Sequence, residues 1–409
     1  MSDAPRPHDS HQADPGHPAP PAAPPLNIER PGDALALVQH TFGRLPADSL
    51  VIIGFRAGIT GGHLRVDLAS VRQRPEQMGE QCAEWIAGPA AEPVPNAAMA
   101  LIFDTAPAVS DAADRYMPML RALQAGLLER AEAPLVQVWH IEQGYIRDYH
   151  TGADKRSGGP SGEHAESALN QTLQRIPSLE TTRARSPQEA LTRFLAPNPL
   201  AAAEQQTRVR QHQAPPPTRG EAVIALWEAA LGRSLREGTT HHAADAGWIH
   251  HSPEQAAALL RTLEDPDHVE LLMALTVTNV EAVGRIHQRG KADPGAGALI
   301  DAAWGVAGAP PQWPRVESLV ALLRQLLPYA QQLQRAQLLG LRAWVEWLRG
   351  SGSTASAFAE TVREQHPELW RSTTAPPLAR SVLACISALG VCPWAQDKAS
   401  SYSWWSSRQ

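Results

Sequence analysis

Three polar residues each close a run of apolar and β-branched residues: Asp67 after Leu64-Arg65-Val66, Asp104 after Met99-Ala100-Leu101-Ile102-Phe103, and His140 after Leu135-Val136-Gln137-Val138-Trp139. Two carboxylates and an imidazole on one rim can work as general acid and base, or hold a divalent cation between oxygen and nitrogen ligands. Thr105 adds a hydroxyl one residue beyond. The plainer reading is that polar residues begin where strands end. Asp67 then pairs with Arg65 or caps a turn, and Asp104-Thr105 merely starts a loop. Asp67, Asp104 and His140 are the candidate catalytic residues.

A second cluster is denser. His241, His242, Asp245, His250 and His251 fall within eleven residues, and zinc accepts both imidazole and carboxylate. These five are the candidate metal ligands, and a divalent metal is the cofactor they imply. No His pair here stands four apart on a helix, as a metalloprotease motif requires. Adjacent histidines diverge, and Ser252-Pro253-Glu254 reads as an ordinary helix start. A polar connecting loop competes with the metal site.

Other motifs are excluded by spacing. Gly58-Ile59-Thr60-Gly61-Gly62 lies within a hairpin rather than between strand and helix, and no Walker A pattern occurs. Ser157-Gly158-Gly159-Pro160-Ser161-Gly162 lacks the spacing of a nucleophile elbow.

The rim residues need a sheet to bring them together. Pro31-Gly32-Asp33 starts a helix with Asp33 as its cap. The β-branched run Ser49–Phe55 and the alternating His63–Leu68 then read as a hairpin. A helix over 75–87, a strand at 99–104, a helix over 111–131 and strands at 135–140 and 144–148 follow. The order α-β-β-α-β-α-β-β implies a mixed α/β sheet whose second, third and fourth strands run in one direction. Ligands favour the crevice beyond the carboxyl ends of such strands.

Beyond it the periodicity is helical, with predicted segments at 187–195, 200–211, 221–231, 253–263, 268–284, 298–306, 316–327, 331–348, 355–365 and 377–389. The division is a disordered Pro-rich tail (1–26), an α/β domain (27–150), a polar linker (151–185), an all-α helical domain (186–392) and a flexible Ser/Trp tail (393–409). The first 25 residues hold eight prolines and, after Met1, no large apolar side chain, too little to offset the entropy of ordering. Trp344 and Trp347 share a helix face and read as core. Trp394, Tyr402, Trp404 and Trp405 sit among serines and can dock on a partner or on the parent domain.

Composition narrows the partners. A net charge of −6 over 409 residues gathers neither nucleic acid nor an anionic membrane. Cys82, Cys385 and Cys392 are too scattered for a zinc site or a disulfide framework. With no signal-peptide pattern and no apolar run of about 20 residues, the expected compartment is the cytoplasm.

Two stretches resemble a known family. Pro31-Gly32-Asp33, Leu45-Pro46-Ala47-Asp48-Ser49-Leu50-Val51, Leu64-Arg65-Val66-Asp67-Leu68 and the Gly144-Tyr145 turn are similar to the N-terminal half of the actinobacterial family filed as domain of unknown function 4192. The run from Leu341-Arg342-Ala343-Trp344 through Gly350-Ser351-Gly352 is similar to its C-terminal helix and glycine turn. The resemblance implies the fold and brings no activity. Relatives often carry several cysteines just after the last strand, where this chain has Tyr149-His150-Thr151-Gly152-Ala153-Asp154, so thiol chemistry is not carried over.

Two functions remain. One is a non-catalytic regulatory or protein-interaction role, with a protein as partner of the helical half. The other is a hydrolase or phosphate-handling enzyme acting through Asp67, Asp104 and His140.

Overall fold

The computed structural model describes residues 28, 30–42, 45–56, 59–88, 94–105, 115–142, 145–149, 154–155, 164–173, 187–201, 203–212, 220–237, 245–289, 294–306, 310–373, 376–396 and 400–407. The predicted Pro-rich tail, 1–26, lies outside them. Helix α1 (Pro31–Phe42) opens with proline at its first position, where the missing N–H is no loss. Asp33 sits inside this first turn and accepts the Arg30 N–H at 3.1 Å.

Among the described residues six strands form one sheet, β1 (Ser49–Arg56), β2 (Ile59–Asp67), β3 (Ala97–Phe103), β4 (Leu135–Glu142), β5 (Tyr145–Asp148) and the two-residue β6 (Asp154–Lys155), in the order β2-β1-β3-β4-β5-β6. β1 is antiparallel to both β2 and β3, and β3 is parallel to β4. The chain therefore passes over β1 between β2 and β3, and β2, β3 and β4 point the same way. Alternation along the strands sorts the side chains onto two faces. Leu50, Ile52, Leu64, Ala100, Ile102 and Val138 join a core under α2 (Leu68–Gln73), α3 (Pro75–Ala87) and α4 (Met117–Ala131). Val51, Ile53, Leu101, Trp139 and Ile141 meet Leu35 and Val38 of α1 on the other face. α3 and α4 approach through Gly79, where an added Cβ would stand 2.4 Å from the Met119 carbonyl oxygen.

The stretch 151–185, predicted as a linker, contains α5 (Ala168–Leu173), whose Leu169 and Leu173 pack with Ala36 of α1. The Ser167 hydroxyl fixes it by donating to Asp33 Oδ1 at 2.8 Å. The helical region follows with α6 (Pro187–Leu195), α7 (Ala203–Gln211), α8 (Gly220–Glu237), a 3₁₀ turn (Gly247–His251), α9 (Pro253–Thr262), α10 (Pro266–Val277), α11 (Val280–Arg289), α12 (Pro294–Ala303), α13 (Trp313–Leu326), a 3₁₀ turn (Leu327–Tyr329), α14 (Gln332–Leu348), α15 (Gly352–Gln365), α16 (Pro367–Trp370) and α17 (Leu378–Leu389). The predicted helix over 268–284 is two helices, because Asn279 turns its side chain back to accept the Ala282 N–H at 2.8 Å and so starts a new one. Trp227, Trp344 and Trp347 are fully buried in one core.

The tail predicted as flexible from Pro393 also differs. Its short helices α18 (Pro393–Gln396) and α19 (Tyr402–Ser407) return to the helical region. Trp394 is buried, Trp313 donates to the Ser400 carbonyl at 3.2 Å, and Arg349 covers the Tyr402 ring at 4.5 Å. Aromatic burial there outweighs the serine content.

The two regions touch where α17 ends. Gly390 has φ +69°, and a Cβ on it would fall 1.8 Å from Trp85 of α3, while Val391 packs against the core beneath α3 and α4. All three cysteines are free, and no helix among the described residues is long and apolar enough to cross a membrane.

Candidate functional site

Strand alternation decides which rim residues meet. Asp104 follows Ile102, and His140 follows Val138, by two positions, so both face α2, α3 and α4. Glu142, two further on, shares that face. Asp67 is in phase with Arg65, whose Nε donates to Ser49 Oγ at 3.0 Å, and therefore projects to the opposite face. It is exposed, and it precedes α2 without capping it. Thr105 is also drawn away, because its N–H and hydroxyl both donate to Asp48 Oδ1, at 3.2 and 2.7 Å. The sheet thus gathers Asp104 and His140 and leaves Asp67 out.

Asp104, 3% exposed, is held from three directions. Arg72, in the last turn of α2, donates to Oδ1 at 2.8 Å. Tyr116, just before α4, donates its hydroxyl to Oδ2 at 2.6 Å and itself accepts from Arg72 Nε at 3.2 Å. Arg115 stands 3.7 Å from Oδ2. Charge-assisted bonds of this kind keep a buried carboxylate ionised. Tyr116 is raised above the ordinary tyrosine range by burial and by its bond to Asp104, so it stays a donor.

His140 lies beside this pair, with no exposed side-chain surface. Its Nε2 is 3.8 Å from Asp104 Oδ2 and its Nδ1 is 3.3 Å from Glu142 Oε1. Neither nitrogen has a hydrogen-bond partner among the described residues. Tyr116 packs edge-on to the ring at 5.6 Å and Tyr149 lies 6.0 Å away. Burial pushes the imidazole below its ordinary 6.5; Glu142 and Asp104 pull against that shift, and Arg147 and Arg115 add to it. The result is a neutral ring near pH 7, able to take a proton with a carboxylate close to each nitrogen.

The histidine-rich segment is arranged differently. His241 and His242 lie outside the described residues. Asp245 is exposed and accepts the Gly247 N–H at 2.8 Å, and His251 is exposed. His250 is buried, with Nδ1 at 2.5 Å from the Tyr329 hydroxyl and Nε2 at 2.7 Å from Gln325 Oε1. Because an amide oxygen only accepts, Nε2 carries the hydrogen and Nδ1 accepts from Tyr329. Asn198 also donates to Gln325 Oε1, and Gln205 donates to the His250 carbonyl. With both ring nitrogens occupied, His250 does not join Asp245 and His251 around an ion. Among the described residues, no group of three or more His, Cys, Asp or Glu is placed to hold a metal.

Four members of the rim cluster escape a reading of the sequence. Glu142 had a signal, two residues beyond His140 on the same face. Arg72, Arg115 and Tyr116 come from helix ends 32, 11 and 12 residues from Asp104, and only the packing of α2 and α4 onto the sheet brings them in. No curated protein and no solved structure matches the chain. Residues 31–370 match the family model described as Domain of unknown function (DUF4192), and the chain belongs to that family.

Proposed function

We propose that the α/β half is a hydrolase or phosphate-handling enzyme in which His140 transfers the proton and Asp104 and Glu142 set its charge balance. The supporting observation is the buried imidazole with two unbonded nitrogens, 3.3 and 3.8 Å from carboxylate oxygens. Leaving buried polar atoms unmade costs about 1–3 kcal/mol, and native structures keep such groups where water, an ion or a reacting group completes them. Neutral at pH 7, His140 serves as the base. The cation formed at proton uptake is stabilised by Asp104, which Arg72 and Tyr116 hold as a fixed counter-charge. Asp67 takes no part in this reading.

The test is hydrolysis of a panel of phosphomonoesters, nucleotides and carboxylic esters by the full chain, run beside His140→Gln. The variant should lose roughly 10²–10⁴-fold in turnover while its melting temperature stays close to that of the parent. Turnover indifferent to the substitution removes the reading. So does a panel without turnover together with His140 titrating at its ordinary value by NMR.

One observation favours a second reading, a non-catalytic regulatory or protein-interaction role. Both oxygens of Asp104 already accept, from Arg72 and from Tyr116, so the cluster also clamps α2 and α4 to β3. Recovery from lysate of a protein whose binding needs the helices of 187–389, with no turnover on the panel, supports it.

A further inference from the structure

We infer that Arg72 and Arg115 form a clamp for a small phosphoryl oxyanion on the outer side of Asp104, an inference that rests on the rim being the functional centre. The two arginines come from separate elements, the end of α2 and the residue before Tyr116, yet converge on one carboxylate. They are 34% and 36% exposed, whereas Asp104 is 3% exposed. The two guanidinium groups thus stand outside the buried carboxylate of Asp104, with the second buried acid, Glu142, on the far side of His140.

Part of their donor capacity is unspent. Arg72 uses Nε and one terminal nitrogen on Tyr116 and Asp104. Arg115, at 3.7 Å from Oδ2, makes no hydrogen bond among the described residues. The oxygen it approaches is occupied by Tyr116 at 2.6 Å. A second, independent feature faces the same oxygen. His140 Nε2, buried and without a hydrogen-bond partner among the described residues, stands 3.8 Å from Oδ2.

A planar fork of donors beside a second fork matches an oxyanion that offers several acceptors. A phosphoryl group offers three, on a dianion, and a carboxylate offers two. The neighbouring N-terminus of α4, a fifteen-residue helix, adds positive potential of the same sign. Phosphoryl binding would leave Asp104 and Tyr116 in place and give Arg115 the bonds it lacks.

The probe is inorganic orthophosphate, titrated into the full chain at constant ionic strength with chloride as the replaced anion. Melting temperature and the ring-nitrogen shifts of His140 are the readouts. A saturable rise in melting temperature with a concerted shift at His140 is expected. Arg115→Gln should weaken it about tenfold or more, as loss of a charge-assisted bond implies, with Arg115→Lys intermediate. Arg193→Gln, an exposed arginine on α6, should change nothing. Absence of saturation into the tens of millimolar overturns the clamp, as does unchanged binding by Arg115→Gln. Acetate binding as tightly as orthophosphate overturns the phosphoryl assignment. If orthophosphate fails while His140→Gln still abolishes turnover, the clamp falls alone. If orthophosphate binds and His140→Gln turns over normally, the proton-transfer reading falls alone.

Discussion

Two buried histidines, one in each region, sit in opposite circumstances. His250 joins the 3₁₀ turn at 247–251 to α13 and to the turn at 327–329, with Gln325 on one nitrogen and Tyr329 on the other. His140 is buried as deeply, yet both its nitrogens stand off from their neighbours at 3.3 and 3.8 Å. A polar group whose bonds are complete is a joint, and its worth is stability. A buried polar group that the protein leaves without a partner lowers stability, and a fold retains it for another reason. Histidine density misleads here. The segment richer in imidazoles holds a satisfied ring, and His140, on a strand, has neither nitrogen bonded.

Substitutions break or sharpen this contrast. The largest effect belongs to His250→Ala, which strands the Tyr329 hydroxyl, leaves the Gln325 oxygen with Asn198 alone and should cost about 3 kcal/mol in denaturant unfolding of the full chain. A cost below about 1 kcal/mol would show that the joint contributes little. Next, Asp104→Asn keeps the shape and removes the charge facing Arg72. It should cost about 2 kcal/mol, less than a sealed ion pair, because both arginines are partly hydrated and recover water.

The acid branch of the stability curve comes third. The folded-state pKa of His140 lies below the ordinary 6.5, and burial pushes His63 down to about 4. The unfolded chain therefore takes up protons first, so stability is whole above pH 6.5 and is lost as pH falls through the folded values. His140→Leu should flatten part of that loss, leaving the share that runs down toward pH 4 with His63. A melting-temperature profile unchanged by the substitution contradicts the assignment. The smallest effect is His140→Leu at neutral pH, within about 1 kcal/mol of the parent, since it exchanges an unsatisfied ring for an apolar side chain. A large loss there would make His140 a joint like His250.

Much of this was legible in the sequence. The β-branched run from Leu50 to Ile53 and the alternation of Leu64, Val66 and Leu68 fix the hairpin, and helical periodicity marks most of the second region. Asp104, one residue past β3, was visible as a strand end, whereas His140, read as one, lies two residues inside β4. What misled was treating all strand ends alike: Asp67 keeps the phase of Arg65 and so faces away, which the period of two already implies. Arg72, Arg115 and Tyr116 lay beyond reach, because no local spacing connects the end of α2 with the start of α4. The aromatic residues after Pro393 were equally hard to place, since the Trp313 and Arg349 they cover belong to distant helices.

The meeting of Gly390 and Trp85 has a mechanical meaning. A contact with no clearance for even a methyl group has no play, so α3 cannot slide beneath the end of α17 without pushing it. α3 is seated on α4, and α4 begins beside the tyrosine that grips Asp104. The indole of Trp85 is thus a spacer set at the bearing between sheet and helices, the point at which the two halves are in direct contact.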